Sequence, residues 1–442
     1  MFSNQALRRL ILPLIAEQIL TMLVGMADTA MVSYAGEAAI SGVALVDMVS
    51  QLIITVLSAV ATGGAVIVSQ YLGSRNADSA NRAASQLQTL TLLISAALMG
   101  ICLLLHRQIL QLLFGSIEPD VMQAAVTYFV INALSFPFLG VYQSAAALFR
   151  SMERTQTTMY VSLLMNAINV VGNAIGIFGF RAGVVGVAVP TLISRVVAGI
   201  VMLKLSLKAS NPVRVNLREM GRWDGPMQSR ILKIALPNGL ENGLFTLGRV
   251  LVTSIVALFG TAQIAANGVS ASINSFAIII VNAINLAVIT VVGQCIGAKE
   301  FDQAQMYLKK LMKISYLTTG ALTLVVWALL PLIRHLYSLS PETWRLCAQL
   351  VMAHNIMATL LHPTSFNLAN GLRAAGDVKC TLIVGIGSML VFRLGTAYLL
   401  GLGFGLGIWG VYAAMGMDWL GRSVAFVVRF RSGKWKEFRS ID

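Results

Sequence analysis

The chain has 442 residues, of which 57% are hydrophobic and 11% are charged, and its formal net charge is +14. A soluble globular protein carries about 25% charged residues, so this composition excludes that class. Long uncharged runs predict membrane-spanning helices, because roughly 20 apolar residues cross the hydrocarbon core and a helix satisfies its own backbone there. The alternating segments of about ten residues that mark a membrane β-barrel do not occur.

Twelve spans are predicted in chain order, and a polar connector at 208–229 divides them into two sets of six. The predicted spans are 9–34, 43–72, 84–106, 121–149, 157–180, 183–207, 231–258, 265–297, 312–334, 345–372, 380–402 and 405–430. We therefore expect an all-α polytopic membrane protein with an N-lobe (1–207), a cytoplasmic linker (208–229) and a C-lobe with a basic tail (230–442).

Lysine and arginine concentrate in alternate loops and at both ends of the chain. If both termini are placed inside, the basic residues of the outer loops are only Arg107, Arg181, Arg334 and Arg345. This positive-inside bias predicts a cell-membrane protein with cytoplasmic termini. The basic excess is thus a topology signal with a secondary attraction to anionic membrane lipid, and it predicts no nucleic-acid partner.

Two hexapeptides, LPLIAE (12–17) and LPNGLE (236–241), repeat one pattern at a fixed offset along the chain. The same offset relates Gln70 to Gln294 and Gly36 to Gly260. A constant offset over six helices predicts a duplicated, parallel repeat, related by an axis along the membrane normal. Transporters of that architecture bind substrate between the two halves, so we expect an aqueous cavity between the lobes.

Five of the eighteen acids fall within predicted spans: Glu17, Asp28, Asp47, Glu241 and Asp418. Ionisable groups inside a membrane are costly and are functional candidates by default. Glu17 and Glu241 each follow a span proline by four residues, which favours either a gating or coupling role or an anchor for a bent helix. Asp418 and Arg422, at i and i+4, predict an ion pair within one helix.

Several segments together resemble the multidrug and toxic compound extrusion (MATE) family, with the pattern closest to its bacterial DinF-like branch. They read PLIAEQILTMLVGMADTAMVSYAGEAAISGVA (13–44), QYLG (70–73), NAINVVGN (166–173), GVVGVAVPTLISR (183–195) and QCIG (294–297). The resemblance implies an antiporter in which a Na⁺ or H⁺ gradient drives export of amphipathic or cationic organic compounds by alternating access. It further implies a small organic substrate, no cofactor and a functional monomer.

The resemblance also implies a cation-coupling site at Asp28, Asn169, Asn173 and Thr191. Carboxylate, amide and hydroxyl oxygens are the ligands that a hard cation such as Na⁺ prefers. Asn173 departs from the family pattern, which has an aspartate there. An acid expected near residue 362 is also missing, and His362 occupies that region. With His354 on nearly the same helix face, it is read either as a titratable group or as a polar packing residue.

Two other function classes compete with export. A flippase for a lipid-linked saccharide shares the layout, and we expect it to line its cavity with several cations. The candidates within spans are Arg195, Arg249, Arg393 and Arg422. An enzyme is not predicted, because the chain has no GxSxG, no glycine-rich phosphate loop and no clustered His/Asp/Glu motif. The four scattered cysteines predict neither a metal site nor a disulfide framework.

Overall fold

The computed structural model describes residues 2–115, 118–336 and 339–441, and these residues form helices joined by turns and short connections, with no strand among them. The α-helices are α1 (Asn4–Ser33), α2 (Glu37–Gly73), α3 (Ala77–Phe114), α4 (Pro119–Ala133), α5 (Phe136–Ser151), α6 (Thr155–Ala174), α7 (Val185–Ser206), α8 (Leu217–Met220), α9 (Gly225–Ala257), α10 (Thr261–Ala277), α11 (Ile279–Gly297), α12 (Phe301–Ile333), α13 (Pro341–Ala375), α14 (Val378–Ser388) and α15 (Ile408–Arg431). Three π-helices, Ile175–Gly179, Met389–Gly395 and Ala397–Gly403, extend α6 and α14, and 3₁₀ turns occupy Arg334–Leu336 and Lys434–Glu437.

Each predicted span coincides with one helix or with consecutive helices of the described chain. Nine helices in the described ranges are long and apolar enough to cross a membrane, and α4 with α5, bent by 50°, would make ten. The two remaining segments, α13 with 35 residues and α15 with 24, are long enough but carry buried histidine, asparagine, arginine and aspartate side chains. The all-helical membrane fold is therefore confirmed.

The chain packs as two compact units, Phe2–Gly239 and the residues from Leu240 onward. In the first unit α6 packs against α1 and α7, while α2 packs against α3, α4 and α5. In the second unit α13 is central, because it packs against α10, α11, α12 and α15. Proline lies inside the helix that opens each predicted lobe, at Pro13 in α1 and Pro237 in α9, and both helices continue through it.

Backbone conformation records the duplication at single residues. Gly36 and Gly260, each preceding a helix, have φ angles of 105° and 106°. Arg75 and Lys299, which are related by the same offset, have φ angles of 59° and 61°. A φ near +105° is closed to side chains with a Cβ atom, so glycine is required at the first pair in both halves. The predicted internal repeat is confirmed.

One segment breaks the constant offset. Two residues precede the corresponding helices α6 and α14, namely Arg154 and Asp377, and their separation along the chain is one residue shorter than the repeat offset. Phe180 and Phe404 follow the last π-helix of each segment, and their separation equals the offset. The segment after Asp377 therefore holds one residue more. The additional π-helix Met389–Gly395 accommodates it, because i→i+5 bonding places more residues in each turn.

The 208–229 segment is fastened to the first unit rather than free. The Gln86 side-chain amide donates hydrogen bonds to the carbonyl oxygens of Glu219 at 2.7 Å and Arg222 at 2.6 Å. Arg82 forms an ion pair with Asp224. Partial burial would raise the pKa of Asp224, but hydrogen bonds from a backbone amide and from Arg82 outweigh it and hold this pKa below its usual range.

Candidate functional site

The four residues predicted as a cation site come together in the first unit. The amide nitrogen of Asn173 donates to Asp28 Oδ1 at 2.9 Å. In the orientation that satisfies both ends of its amide, Asn169 donates to Asp28 at 2.9 Å and accepts from Thr191 Oγ1 at 3.0 Å. Asn169 and Asn173 are four residues apart on α6, so they share one face and meet the same carboxylate.

One oxygen of this cluster has no hydrogen-bond partner. Asn173 is 0% exposed, and its carbonyl oxygen accepts no hydrogen bond from the residues that the structure describes. A buried acceptor left unpaired costs about 1–3 kcal/mol, and a bound ion is one of the explanations for such an atom in a native structure. Together with the Asp28 carboxylate, the Asn169 carbonyl and the Thr191 hydroxyl, it makes an oxygen set suited to one hard monovalent cation.

The cluster opens into a cavity of about 270 Å³ within the first unit, whose walls include Asp28, Asn169 and Thr191. Two further charged residues, Asp47 and Arg195, face the same cavity. With two carboxylates and one guanidinium, the formal charge of the lining is −1, which favours a cationic occupant. The volume is close to the lower end of the range for small-molecule sites, about 300–1,000 Å³.

Asp47 and Arg195 are held by neutral partners on neighbouring helices. Tyr128 donates its hydroxyl to Asp47 Oδ1 at 3.3 Å. Arg195 Nη1 donates to Asn132 Oδ1 at 2.6 Å and to Ser135 Oγ at 2.8 Å. The sequence marked Asp47 as an acid within a span and Arg195 as a cation within a span. No sequence signal indicated Tyr128, because a lone tyrosine in an apolar helix points to no particular partner.

Glu17 and Glu241 make equivalent ion pairs, one in each unit. Glu17 lies 3.9 Å from Arg150 and accepts a hydrogen bond from Thr158 at 3.2 Å. Glu241, 6% exposed, lies 2.7 Å from Arg373. Both arginines lie in the last turn of their helices, α5 and α13. The duplicated half thus carried a glutamate and its arginine together, which explains why both glutamates are tolerated in apolar helices.

The second unit has no acid at the position that corresponds to Asp28, where Val252 stands. Besides Glu241, a buried acid of this unit within a predicted span is Asp418, whose Oδ1 lies 3.0 Å from Arg422 Nε. The predicted ion pair within one helix is therefore present. Asp418 Oδ2 also lies 3.6 Å from Arg393 Nη1, so two guanidinium groups contact one carboxylate.

His362 and His354 lie in an aromatic cluster of the second unit. The His362 ring stacks on Phe366 with centroids 4.2 Å apart and meets Trp419 edge-on at 5.0 Å. His354 meets the same tryptophan at 5.3 Å. Both histidines therefore point to one side of α13, as their spacing predicts. In the part of the chain that the structure describes, no three His, Cys, Asp or Glu side chains converge as a metal-binding group.

Comparison with known proteins gives a consistent result. A family model described as MatE matches residues 13–175 and 237–399, two blocks whose first residues are related by the offset of the internal repeat. "Uncharacterized transporter YisQ" from Bacillus subtilis is 30% identical over 435 residues, which cover 96% of this chain and 93% of that one. "Probable multidrug resistance protein NorM" from Thermotoga maritima is 26% identical over 443 residues, with 98% and 93% covered.

Solved structures share the fold. One described as "Outward-facing conformation of a multidrug resistance MATE family transporter of the MOP superfamily" matches with a TM-score of 0.89 and 20% identity, covering 98% of this chain and 96% of that one. Another, described as "Crystal structure of MATE in complex with MaD3S", matches with a TM-score of 0.91, 20% identity and the same two coverages, 98% and 96%.

Proposed function

The chain belongs to the MatE family, and from that premise we propose that it is a secondary active antiporter that exports amphipathic or cationic organic compounds in exchange for Na⁺ or H⁺. It resides in the cell membrane as a monomer with cytoplasmic termini, needs no cofactor and works by alternating access. The name of one relative, a probable multidrug resistance protein, supports export.

The observation that carries this proposal is the cluster around the Asp28 carboxylate, which faces the cavity. Asp28 receives hydrogen bonds from two amides, and the buried oxygen of Asn173 is left without a donor. An amide that donates to a carboxylate can rotate and present its oxygen to a cation instead. A Na⁺ ion therefore recruits the oxygens of Asn169, Asn173 and Thr191, whereas a proton on Asp28 needs only one acceptor.

The charges of the cavity support an exchange of one cation per transport cycle. Arg195 offsets one of the two carboxylates, Asp28 and Asp47, that share the lining. The remaining charge of −1 is neutralised by one Na⁺, one H⁺ or the cationic group of a substrate. These occupants exclude one another on electrostatic grounds, and this exclusion is the basis of antiport. Each occupant shifts the balance of conformations only by its difference in affinity for the two.

The flippase is not favoured. Two of the four arginines within spans are held by short hydrogen bonds: Arg195 by the neutral oxygens of Asn132 and Ser135, and Arg422 by Asp418. The names of the relatives also point to drug export rather than lipid transfer.

The test is efflux of radiolabelled tetraphenylphosphonium, a cation without a titratable group, from proteoliposomes with imposed Na⁺ or H⁺ gradients. Wild-type protein is expected to respond to one gradient, and Asp28→Asn to lose that response. Asp78→Asn is the matched control, because Asp78 is exposed in the first turn of α3. Gradient-driven efflux by Asp28→Asn at the wild-type rate would refute the assignment of the coupling site.

A further inference from the structure

The second unit contains a buried cluster in which positive charge exceeds negative charge. Two carboxylates, Glu241 and Asp418, contact three guanidinium groups: those of Arg373, Arg393 and Arg422. With the acids ionised, the cluster carries a formal charge of +1. An uncompensated charge in a low-dielectric interior is costly, so a surplus of this kind needs an anion from outside the cluster.

The hydrogen bonds identify which arginine is the surplus one. Arg373 donates to Glu241 at 2.7 Å, and Arg422 donates to Asp418 at 3.0 Å. Among the described residues, Arg393 has one ion-pair contact, the long approach to Asp418 at 3.6 Å, and its Nε and Nη1 atoms are buried with no hydrogen-bond partner there. Its side chain keeps 11% of its surface exposed. One edge of the guanidinium is therefore accessible to solvent, and the N–H donors at another edge lack hydrogen-bond acceptors.

A second cation strengthens the surplus. Arg249 lies on α9 within a helix that is apolar enough to span the membrane, and it is exposed. The α9 helix meets the π-helix of Arg393 beside Arg249, because a Cβ atom at Gly248 would lie 2.6 Å from Met389 Sδ. In the described ranges no carboxylate lies within ion-pair distance of Arg249. Charged side chains within spans face the bundle interior or a water-filled cavity, so a soluble anion can reach this one.

The backbone at Arg393 differs from the corresponding segment of the first unit. Arg393 lies in the additional π-helix Met389–Gly395, where the second unit holds one more residue. Wide turns of this kind are rare and occur frequently at functional sites. The insertion therefore coincides with the arginine whose donors lack partners.

We propose that Arg393 and Arg249 form an anion-binding site in the second unit that takes one monovalent anionic group. The chemistry shared by its possible ligands is a small, planar or spherical acceptor, namely the carboxylate of an organic compound or a free halide. A guanidinium binds a carboxylate through two parallel hydrogen bonds, which favours the first. An organic carboxylate as the ligand rests on the proposed export of organic compounds. In that case the exported molecule carries an acidic group.

The probes are potassium benzoate and potassium chloride, titrated separately against the melting temperature of the full chain in lipid nanodiscs. Wild-type protein is expected to be stabilised saturably by at least one probe. Arg393→Gln is expected to raise the apparent dissociation constant about tenfold or more, as loss of a charge-assisted hydrogen bond predicts. Arg345→Gln, which removes an exposed arginine of α13, is expected to keep the wild-type constant.

Saturation by benzoate alone assigns the site to an organic carboxylate, and saturation by chloride as well assigns it to a free anion. Equal responses of wild type and Arg393→Gln, or no saturation in wild type, would overturn the proposal. If Arg393→Gln does not fold, Arg249→Gln carries the test, because Arg249 is outside the buried cluster. Efflux measurements tell the two proposals apart. Efflux by Arg393→Gln should still depend on the Na⁺ or H⁺ gradient. If efflux by the wild-type protein does not depend on either gradient, antiport is refuted, and the anion titration can still be interpreted.

Discussion

Glu241 and Arg373 form a buried ion pair in the second unit, with Oε2 and Nη2 2.7 Å apart. Glu17 and Arg150 repeat it in the first unit at 3.9 Å. The sequence shows the recurrence of the acid, but only the structure shows that its partner recurs with it. A pair kept in both halves has its desolvation cost offset by mutual attraction, and removing one member leaves the other charge buried alone.

We expect Glu241→Gln to destabilise the protein by about 3–5 kcal/mol, because Arg373 then lies buried without its counter-charge. The measurement is chemical or thermal unfolding of the purified protein in one detergent. Glu342→Gln, an exposed change in the first turn of α13, is the control. Equal stability of Glu241→Gln and wild type would mean that Arg373 is compensated from elsewhere.

Gly385 gives an independent test of the same pair. A Cβ atom at Gly385 would lie 2.7 Å from Glu241 Cγ and 2.8 Å from its Oε1, so Gly385→Ala must displace the glutamate. Gly387, two residues along α14, has nothing within 4 Å of such an atom. We expect Gly385→Ala to lower the melting temperature. Gly387→Ala should be neutral or stabilising by up to about 1 kcal/mol from helix propensity. The opposite order would contradict this packing.

Asn173→Asp should shift the pH dependence of transport upward. The new carboxylate would lie about where the Asn173 amide contacts Asp28, at 2.9 Å. Two like charges at that separation do not ionise together, so the pair holds one proton to higher pH than Asp28 alone. The measurement is initial efflux rate against pH in proteoliposomes, with Gln156→Glu, an exposed change on the same helix, as the comparison. An unchanged profile would place the titrating group outside this cluster.

Asp47→Asn should weaken binding of a cationic substrate without abolishing its gradient-driven export. The change leaves Asp28 facing Arg195, so the lining of the cavity has no net charge. We expect a higher KM for tetraphenylphosphonium and a retained response to the coupling gradient. Tyr128→Phe, which removes only the hydroxyl that donates to Asp47, should change KM much less. Loss of the gradient response in Asp47→Asn would make Asp47 a coupling residue as well.

The pairing of Arg82 with Asp224 should protect the 208–229 segment from protease. The folded pKa of Asp224 is below its usual range, so the pair is fully formed above the ordinary aspartate pKa and is lost as pH falls through the folded value. At neutral pH we expect faster tryptic cleavage after Arg222 in Asp224→Asn than in wild type. Lys208→Gln, a charge change at an exposed end of the segment, should leave this cleavage rate unchanged. Equal rates in Asp224→Asn and wild type would show that Gln86 suffices.

The sequence predicted the helices, their order and the repeat, because apolar length and a constant offset are local or linear properties. The Asp28, Asn169, Asn173 and Thr191 set came from family resemblance, and the structure brings these four residues together. The meeting of Asp47, Tyr128 and Arg195 could not be predicted, since it depends on which faces of three separate helices turn toward each other. The periodicity of the sequence shows which residues share a face of one helix, but it does not show which other helix packs against that face.

The extra residue between Asp377 and Phe404 has an evolutionary consequence. One inserted residue turns everything beyond it by about 100° around the helix axis, unless a wide turn accommodates the excess. Here the residues at both ends of the segment have structural equivalents in the first half, while the residues between them face different directions around the helix axis. A length difference of one residue is thus sufficient to release this stretch from the chemistry of its twin. The two halves could then acquire charges of opposite sign without redesigning the scaffold they share.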